Sequence, residues 1–505
     1  MIERPAFRFI LAFSLYLLLL VPGWHFYQFI FDLDAVGYAS IAEYYAAGNF
    51  REAVNGLWSP LHCWLIVPFL KCGISAATAF KITNIFFAIG ILYCFHDYLK
   101  RTTFKASIQT AALLTAVVIL TSYTWFELAA DLLLVLLLLL YFRITLSDDF
   151  HQHTSSAILA GLTGGLAYLA KAYAFPFFLA HFTIIHFIIG REKINWKNFI
   201  AGLLAFMVIS LPWTFALWWK YGEWLTSTSG KLNWSWYLKN PNEDYKGYFL
   251  QPPHAKASCA WEDPYFLQNE FYKPWHSFQL FMHQIRVLLF TFQQWLLLIF
   301  KQSFLVPGIL TSLLIALFQK PTKQIKKTIL FCLLLPAGYW LMHIEDRFIW
   351  ATTLIVLAAG MHILIKIFQH YQLSERNKIF IWLLFFGSFV IEPINWLKDN
   401  RFRHRELFAL VSEIKETGIK GSFTSNKKMD ECAIIAYSNK LQFYTPAPKK
   451  IHLSKYVQEA KAAGIAHYLY FFTFSEEKAA FMALPEVKTA RKIHQITNES
   501  LLVSF

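Results

Sequence analysis

Two carboxylates, Asp32 and Asp34, stand in the stretch Phe31-Asp-Leu-Asp-Ala-Val-Gly-Tyr38, directly after the first long apolar run. They fall where a membrane helix would emerge into water, and the stretch continues through Glu43 and Gly48 to Trp58-Ser-Pro-Leu-His62. A second pair, Glu127 and Asp131, sits in Trp-Phe-Glu-Leu-Ala-Ala-Asp-Leu-Leu-Leu. Its i, i+4 spacing puts both acids on one face of an expected helix, where like charges repel unless a cation or a proton lies between them. Glu127 is equally well explained as a solvated acid that suits the positive end of a helix, whereas Asp131, one turn deeper, is harder to explain without a function. Lys171, near an expected helix end before Pro176, either snorkels to water or pairs with an anionic lipid phosphate. Arg347 follows Glu345 and Asp346, so a local ion pair and a phosphate clamp are both open to it. His62, close to Pro60, reads as a hydrogen-bonding support rather than a catalyst.

The elements that must position these groups are set by composition. Of 505 residues, 56% are hydrophobic, 18% aromatic and 15% charged, while soluble domains carry about 25% charged residues. The chain is expected to be a polytopic α-helical membrane protein. Its net charge of +14 does not point to nucleic acid, because the Lys and Arg residues cluster between apolar runs as membrane topology requires. The run Phe9 to Phe31 lacks a small-residue cleavage site and reads as a retained helix. The six cysteines show no metal-ligand spacing; a disulfide between Cys259 and Cys432 stays open.

Arg4 and Arg8 place the N-terminus in the cytoplasm, and Asp32 and Asp34 outside. Residues 32–60 then form a first outer loop whose aromatic and aliphatic residues suit helices lying along the interface. Residues 60–71 are too short to cross. Spans are expected at 76–98, 106–123, 127–143, 155–174, 175–189, 198–219, 303–318, 328–343, 348–367 and 379–396, about eleven with the first. A long outer loop covers 220–285, its Trp and Tyr more consistent with an interfacial belt than with sugar stacking. Arg286 to Phe300 is ambiguous between a span and an interfacial helix. A membrane domain of 1–398 is thus followed by a soluble extracytoplasmic α/β domain of 399–505. In that domain helical patterns at 405–417, 429–438, 454–463 and 475–482 alternate with strand-like runs at 421–424, 441–444, 467–472 and 501–505.

This topology brings Asp34, Glu127, Asp131, Lys171 and the Glu345-Asp346-Arg347 run to the outer ends of their helices, on one face. Charged groups near hydrocarbon are costly and mark functional sites.

Four local patterns then resemble the GT-C superfamily of membrane glycosyltransferases, especially bacterial relatives of protein O-mannosyltransferases and of the lipid A aminoarabinose transferase. They are Asp34-Ala-Val-Gly-Tyr38 with Gly48, Ser59-Pro-Leu61, Gly-Leu-Ala-Tyr-Leu-Ala-Lys171, and Asp346-Arg347-Phe348, within the first 350 or so residues. The resemblance implies an inverting transferase that moves a sugar from a polyprenyl-phosphate donor to a cell-envelope acceptor, facing the periplasm from the plasma (inner) membrane. It implies Asp34 as the general base, with Asp32, Glu127 and Asp131 as secondary acids. Lys171 and Arg347 would bind the donor phosphate, while Tyr38 and His62 support the loop. No cofactor is required by it, although a divalent cation between the acids stays open. The aminoarabinose transferase pattern has a Lys-Pro pair where this chain has Ser59-Pro60, so one phosphate-binding cation is missing or supplied elsewhere. A transporter or flippase of a lipid-linked or anionic substrate is the alternative, but it should show internal repeats and mid-membrane charges.

Overall fold

Backbone groups in hydrocarbon must be paired within their own segment, so the long apolar runs become helices. The structure is a computed structural model that describes residues 3–126, 128–190, 195–236, 247–264, 273–427, 429–447 and 452–505. The chain opens with α1 (Pro5–Phe26), followed by α2 (Leu33–Ala46), the single turn α3 (Phe50–Ala53) and α4 (Pro60–Lys71). Next come α5 (Ala76–Leu99), α6 (Ala106–Phe126), α7 (Asp131–Leu146) and α8 (Thr154–Ala170). They are followed by α9 (Ala174–Ile184), which runs into a π-helical turn at Ile185–Ile189, and by α10 (Trp196–Tyr221). After the short α11 (Ser229–Trp236) within the long loop, helices resume with α12 (Phe278–Gln302), α13 (Val306–Ala316) and α14 (Lys323–Ala337). The last two of the apolar part are α15 (Trp350–Tyr371) and α16 (Glu375–Asp399).

Six described helical segments are long and apolar enough to cross a bilayer: α1, α5, α6, α10, Asp346–Tyr371 and α16. A seventh results if α12 and α13, bent by 110° at their junction, form one span. The remainder of the expected eleven fall on shorter helices, such as α7 with 16 residues and α9 with 11; at 1.5 Å per residue, 16 residues reach about 24 Å, short of a 30 Å core. The ambiguous residues 286–300 belong to α12, which buries Gln284, Val287, Thr291, Trp295 and Ile299 on one face and exposes Leu289, Phe290, Leu297 and Phe300 on the other.

Beyond α16 lie α17 (Arg405–Glu416), α18 (Met429–Asn439), α19 (Leu453–Ala462), α20 (Ser475–Met482) and the turn α21 (Pro485–Lys488). Strand β1 (Phe249–Leu250) belongs to the long loop; β2 (Ser422–Ser425), β3 (Gln442–Phe443), β4 (Thr445–Pro446), β5 (His467–Phe471), β6 (Lys492–Thr497) and β7 (Ser500–Ser504) follow α16. Five of them form a mixed sheet in the order β3-β2-β5-β7-β6, with β2 parallel to β3 and β5, and β7 antiparallel to β5 and β6. The long loop is stitched to this region through β1, which pairs antiparallel with β4, and through Phe443 N–H, which donates to Ser258 O at 2.7 Å. Cys259 and Cys432 are both buried there and unbridged.

The first loop departs from the interfacial helix expected for it. In α2, Ala35 to Ala42 are all buried, the signature of a helix packed on every side rather than one showing an apolar stripe to lipid. Small residues make this possible: a Cβ on Gly37 would lie 2.6 Å from the Trp58 indole. One apolar cluster joins Phe31, Ala35 and Tyr38 to Phe423, Cys432, Ala436 and Phe443, so the sheet region beyond residue 399 shares its core with the first loop.

Close packing of α8 against α10 orients the chain before Lys171. A Cβ on Gly161 would meet Gly202 O at 2.0 Å, and one on Gly165 would meet Ile209 at 2.6 Å. Backbone cannot give way as a side chain can, so Gly161→Leu is expected to destabilise the protein by about 1–3 kcal/mol and to lower its thermal unfolding midpoint in detergent. Gly308→Ala, where an added Cβ meets nothing within 4 Å, should leave the midpoint unchanged.

Candidate active site

Four segments deliver charged side chains to one place. Asp34 lies in the first turn of α2, and Asp131 is the first residue of α7. Lys171 caps the C-terminus of α8 at the tight reversal into α9, while Glu345 and Arg347 precede α15 in and beside the 3₁₀ turn Asp346–Ile349. Arg347 is the hub, with its side chain 11% exposed. Its Nη2 donates to Asp34 Oδ2 at 2.8 Å, its Nε donates to Glu345 Oε2 at 2.7 Å, and its Nη1 lies 3.7 Å from Asp131 Oδ2. Lys171 Nζ donates to Asp131 Oδ1 and sits 4.3 Å above the Phe348 ring. His343 Nε2 bonds Glu345 Oε1 at 2.7 Å. Burial opposes ionisation of Glu345, but His343, Arg347 and Lys171 outweigh it and hold its carboxyl down to about 2. Glu345 therefore stays an anion and fixes the plane of the guanidinium.

Three carboxylates thus face two permanent cations within the cluster. Among the described residues no group of three or more His, Cys, Asp or Glu side chains is arranged to hold a metal ion. The two fixed cations are positioned to exchange a carboxylate partner for a phosphate oxygen, and Asp34 is positioned to take a proton once released.

The other residues singled out from sequence sit differently. Asp32 is the N-cap of α2, its Oδ1 accepting from Ala35 N–H at 2.7 Å and its Oδ2 buried. Burial first, and then the charge of Asp34, push its carboxyl up to about 6 against the pull of Ala35 N–H, Arg347 and Arg403. Asp32 thus holds the turn that aims Asp34. Asp131 opens α7 instead of lying one turn inside a helix; Glu127, expected to share a face with it, lies outside the described residues. At that first position the carboxylate of Asp131 meets the positive end of the helix dipole.

Tyr38 is buried against Trp58, ring centroids 5.0 Å apart, and its carbonyl accepts from Cys63. His62 is fully buried, its Nε2 2.7 Å from Thr83 Oγ1 and its Nδ1 3.2 Å from Ala129 O. Burial holds His62 down to about 3, so the ring is neutral. Through Ala129 it braces the backbone just before Asp131.

Sequence reasoning passed over a buried carboxylate that secures this frame. Glu262, in the long loop, is 2% exposed. It accepts from Ser40 Oγ at 2.9 Å, Tyr44 OH at 2.7 Å and Ser258 N–H at 2.6 Å, and its carbonyl accepts from Asn55 at 2.6 Å. Asp263 beside it pairs with Lys220 at 2.8 Å and accepts from Tyr221 OH at 2.8 Å. The only signal in sequence was a pair of acids inside Ala-Trp-Glu-Asp-Pro, an aromatic setting in which free carboxylates are out of place.

No family model matches the sequence, and no curated protein matches it. Solved structures do resemble it. ArnT from Cupriavidus metallidurans bound to undecaprenyl phosphate superposes with a TM-score of 0.56 at 11% identity, over 98% of this chain and 97% of that one. The apo form of the same protein gives 0.54 at 10% identity over the same shares. The apo oligosaccharyltransferase of Archaeoglobus fulgidus gives 0.54 at 9% identity, over 87% of this chain and 65% of that one. At these identities the likeness is one of fold: the chain is an integral membrane protein whose architecture is that of ArnT and the oligosaccharyltransferase.

The Glu262 latch gives a pH dependence. Burial raises its carboxyl to about 7, against the hydrogen bonds from Tyr44, Ser258 and Ser40, from about 4.3 in an unfolded chain. The folded protein then binds a proton that the unfolded chain has lost, so this group's contribution to stability is full below about pH 4 and is lost as pH rises through 7. Thermal unfolding of wild type and Glu262→Gln across pH 5 to 8 should show the wild type losing ground to the variant with rising pH.

Proposed function

We propose that this chain is an inverting glycosyltransferase that moves a sugar from a polyprenyl-phosphate carrier to a cell-envelope acceptor, a glycolipid, polysaccharide or protein. The observation that carries the reading is the direct contact of Asp34 with Arg347, which puts a proton acceptor and a phosphate-binding guanidinium in one site. The fold shared with ArnT, whose structure holds undecaprenyl phosphate, supports the same class of donor.

In the proposed reaction the donor phosphate displaces carboxylates from Arg347 and Lys171. Charge-assisted bonds to a guanidinium suit phosphate geometry, and Lys171 adds a point charge. Arg347 then releases Asp34, which accepts the proton of the acceptor hydroxyl. The hydroxyl oxygen forms its bond to the anomeric carbon from the face opposite the phosphate. The bond from that carbon to the phosphate oxygen breaks, and its electron pair leaves with the polyprenyl phosphate. The charge that develops there meets two fixed cations, the electrostatic term that usually contributes most. Glu345 positions Arg347, and Asp131 positions Lys171. The positive-inside distribution of Lys and Arg puts the N-terminus in the cytoplasm and this cluster, with the sheet region, on the outer side of the plasma membrane.

Asp34→Asn should lower transfer by about 10²–10⁴-fold, read by mass spectrometry of envelope glycolipids and glycoproteins from cells carrying each form. Undecaprenyl phosphate, titrated into the purified variant, should bind as tightly as to wild type or more so, since Arg347 loses a competing anion. Undiminished transfer by Asp34→Asn would remove the base from its role. Arg347→Ala should instead weaken the lipid titration. Treatment with EDTA is expected to leave transfer intact, because Lys171 and Arg347 already supply positive charge; loss restored by added Mn²⁺ would assign a divalent cation to the acids.

A further inference from the structure

The turn that aims Arg347 into the cluster sends the preceding residue, Asp346, to a different place. A cavity between α6, α12, α15 and α16 is lined by Ser122, Tyr123, Gln302, Asp346, Glu392 and Trp396, with Phe126 and Phe389 in its walls. It is separate from the residues assigned above to the donor phosphate and to the base.

Gln302, the last residue of α12, is the informative group. It is 6% exposed, and neither its Oε1 nor its Nε2 has a hydrogen-bond partner, although both are buried. An amide buried without partners is costly and rare, and points to a polar occupant. The remaining polar groups define what that occupant must offer. Ser122 gives its hydrogen to Ile119 O at 2.8 Å, leaving acceptor capacity on its oxygen. Tyr123 OH and Thr353 Oγ1 share one bond at 3.2 Å. Of the two carboxylates, Glu392 is balanced by Lys301 at 2.7 Å; no ion pair within 4 Å is seen for Asp346 among the described residues. The cavity is therefore rich in acceptors, carries negative charge and has aromatic faces from Tyr123, Phe126 and Trp396, of which Phe126 and Trp396 stack at 5.2 Å.

An anion is repelled by two carboxylates, and a neutral hydroxyl would satisfy Gln302 while leaving Asp346 and Glu392 to share the single charge of Lys301. An ammonium group meets every requirement, since it has three donors, a positive charge and an affinity for aromatic faces. We propose that this cavity binds the ammonium group of an amine-bearing ligand, with Asp346 as counter-ion and Gln302 Oε1 as acceptor. The site stands independently of the transfer reaction. Two sources share this chemistry, the headgroup of an aminated lipid and a free small amine.

Ethanolamine and ethylene glycol, matched in size and differing by the amine, are titrated into the purified full-length protein by calorimetry at pH 7. Ethanolamine should bind saturably and at least tenfold more tightly than ethylene glycol. Asp346→Asn and Gln302→Leu should each lose at least tenfold. Gln302→Glu, which adds a negative acceptor, should bind several-fold more tightly than wild type, a gain that misfolding cannot imitate. Equal binding of the two probes, or affinity unchanged in all three variants, would overturn the proposal and leave the cavity to water. Native mass spectrometry from vesicles of phosphatidylethanolamine and phosphatidylglycerol separates the sources: retention of the former, lost in Asp346→Asn, assigns the lipid headgroup, and no retention with ethanolamine binding intact assigns a free amine. Neither readout involves glycosyl transfer, so failure here leaves the Asp34 reading untouched.

Discussion

A largely buried guanidinium that no water can fully solvate has to be held by anions, and Arg347 draws them from three separate parts of the chain. Taking the guanidinium from such a set leaves its carboxylate partners uncompensated, at a cost of about 3–5 kcal/mol. The constraint runs both ways. It fixes where α2 and α7 must begin and where the turn before α15 must sit, and it makes every carboxylate of the cluster a competitor for the cation. With three acids sharing two basic side chains, each ion pair in the cluster can exchange partners without any group being moved far.

Getting Asp34 to that point depends on α2 being held from all sides. Asp32 caps the helix from below the catalytic candidate, and Trp58 closes on Gly37. On its far flank Tyr437 OH donates to Glu43 Oε1 at 2.5 Å, and the Phe31 and Tyr437 rings stack at 5.4 Å. The sheet region thereby serves as the outer wall of α2. The long loop completes the enclosure, since Glu262 reads Ser40 and Tyr44 on α2 while β1 and Ser258 engage strands β4 and β3. Precision at the cluster follows from rigid support of this kind, where each contact is made by a different segment.

The 3₁₀ turn at Asp346–Ile349 adds a further economy. Consecutive side chains in a 3.0-residue helix point about 120° apart, so Asp346 and Arg347 serve two different environments from one turn. Phe348, the third residue, lies beneath Lys171 and stacks on Tyr339 at 4.5 Å. Movement of this turn would therefore be felt at both sites.

Helices were legible in the sequence wherever one physical rule dominated. Runs of 20 apolar residues can only be helices in a bilayer, so the bounds of α5, α6, α10, α15 and α16 were visible within a few residues, as were α17 to α20 from their 3.6-residue periodicity and β2, β5 and β7 from strand-length apolar runs. Strand β6 was missed because an edge strand reading Lys-Ile-His-Gln-Ile-Thr carries too much polarity to stand out. The types Asp34, Asp131, Lys171 and Arg347 were recognisable because charges beside hydrocarbon demand a reason. Apart from the local pair of Arg347 with Glu345, which their closeness in sequence left open, their partners were not, since pairing depends on which helix ends meet, and that is a property of packing. Only the tertiary structure decided that Asp131 begins its helix, that Asp32 caps while Asp34 reaches Arg347, that α2 is enclosed rather than lying on lipid, and that Glu262 and Gln302 are buried polar groups. Local pattern specifies an element and the faces it has; what each face touches is settled by contacts between residues tens to hundreds of positions apart.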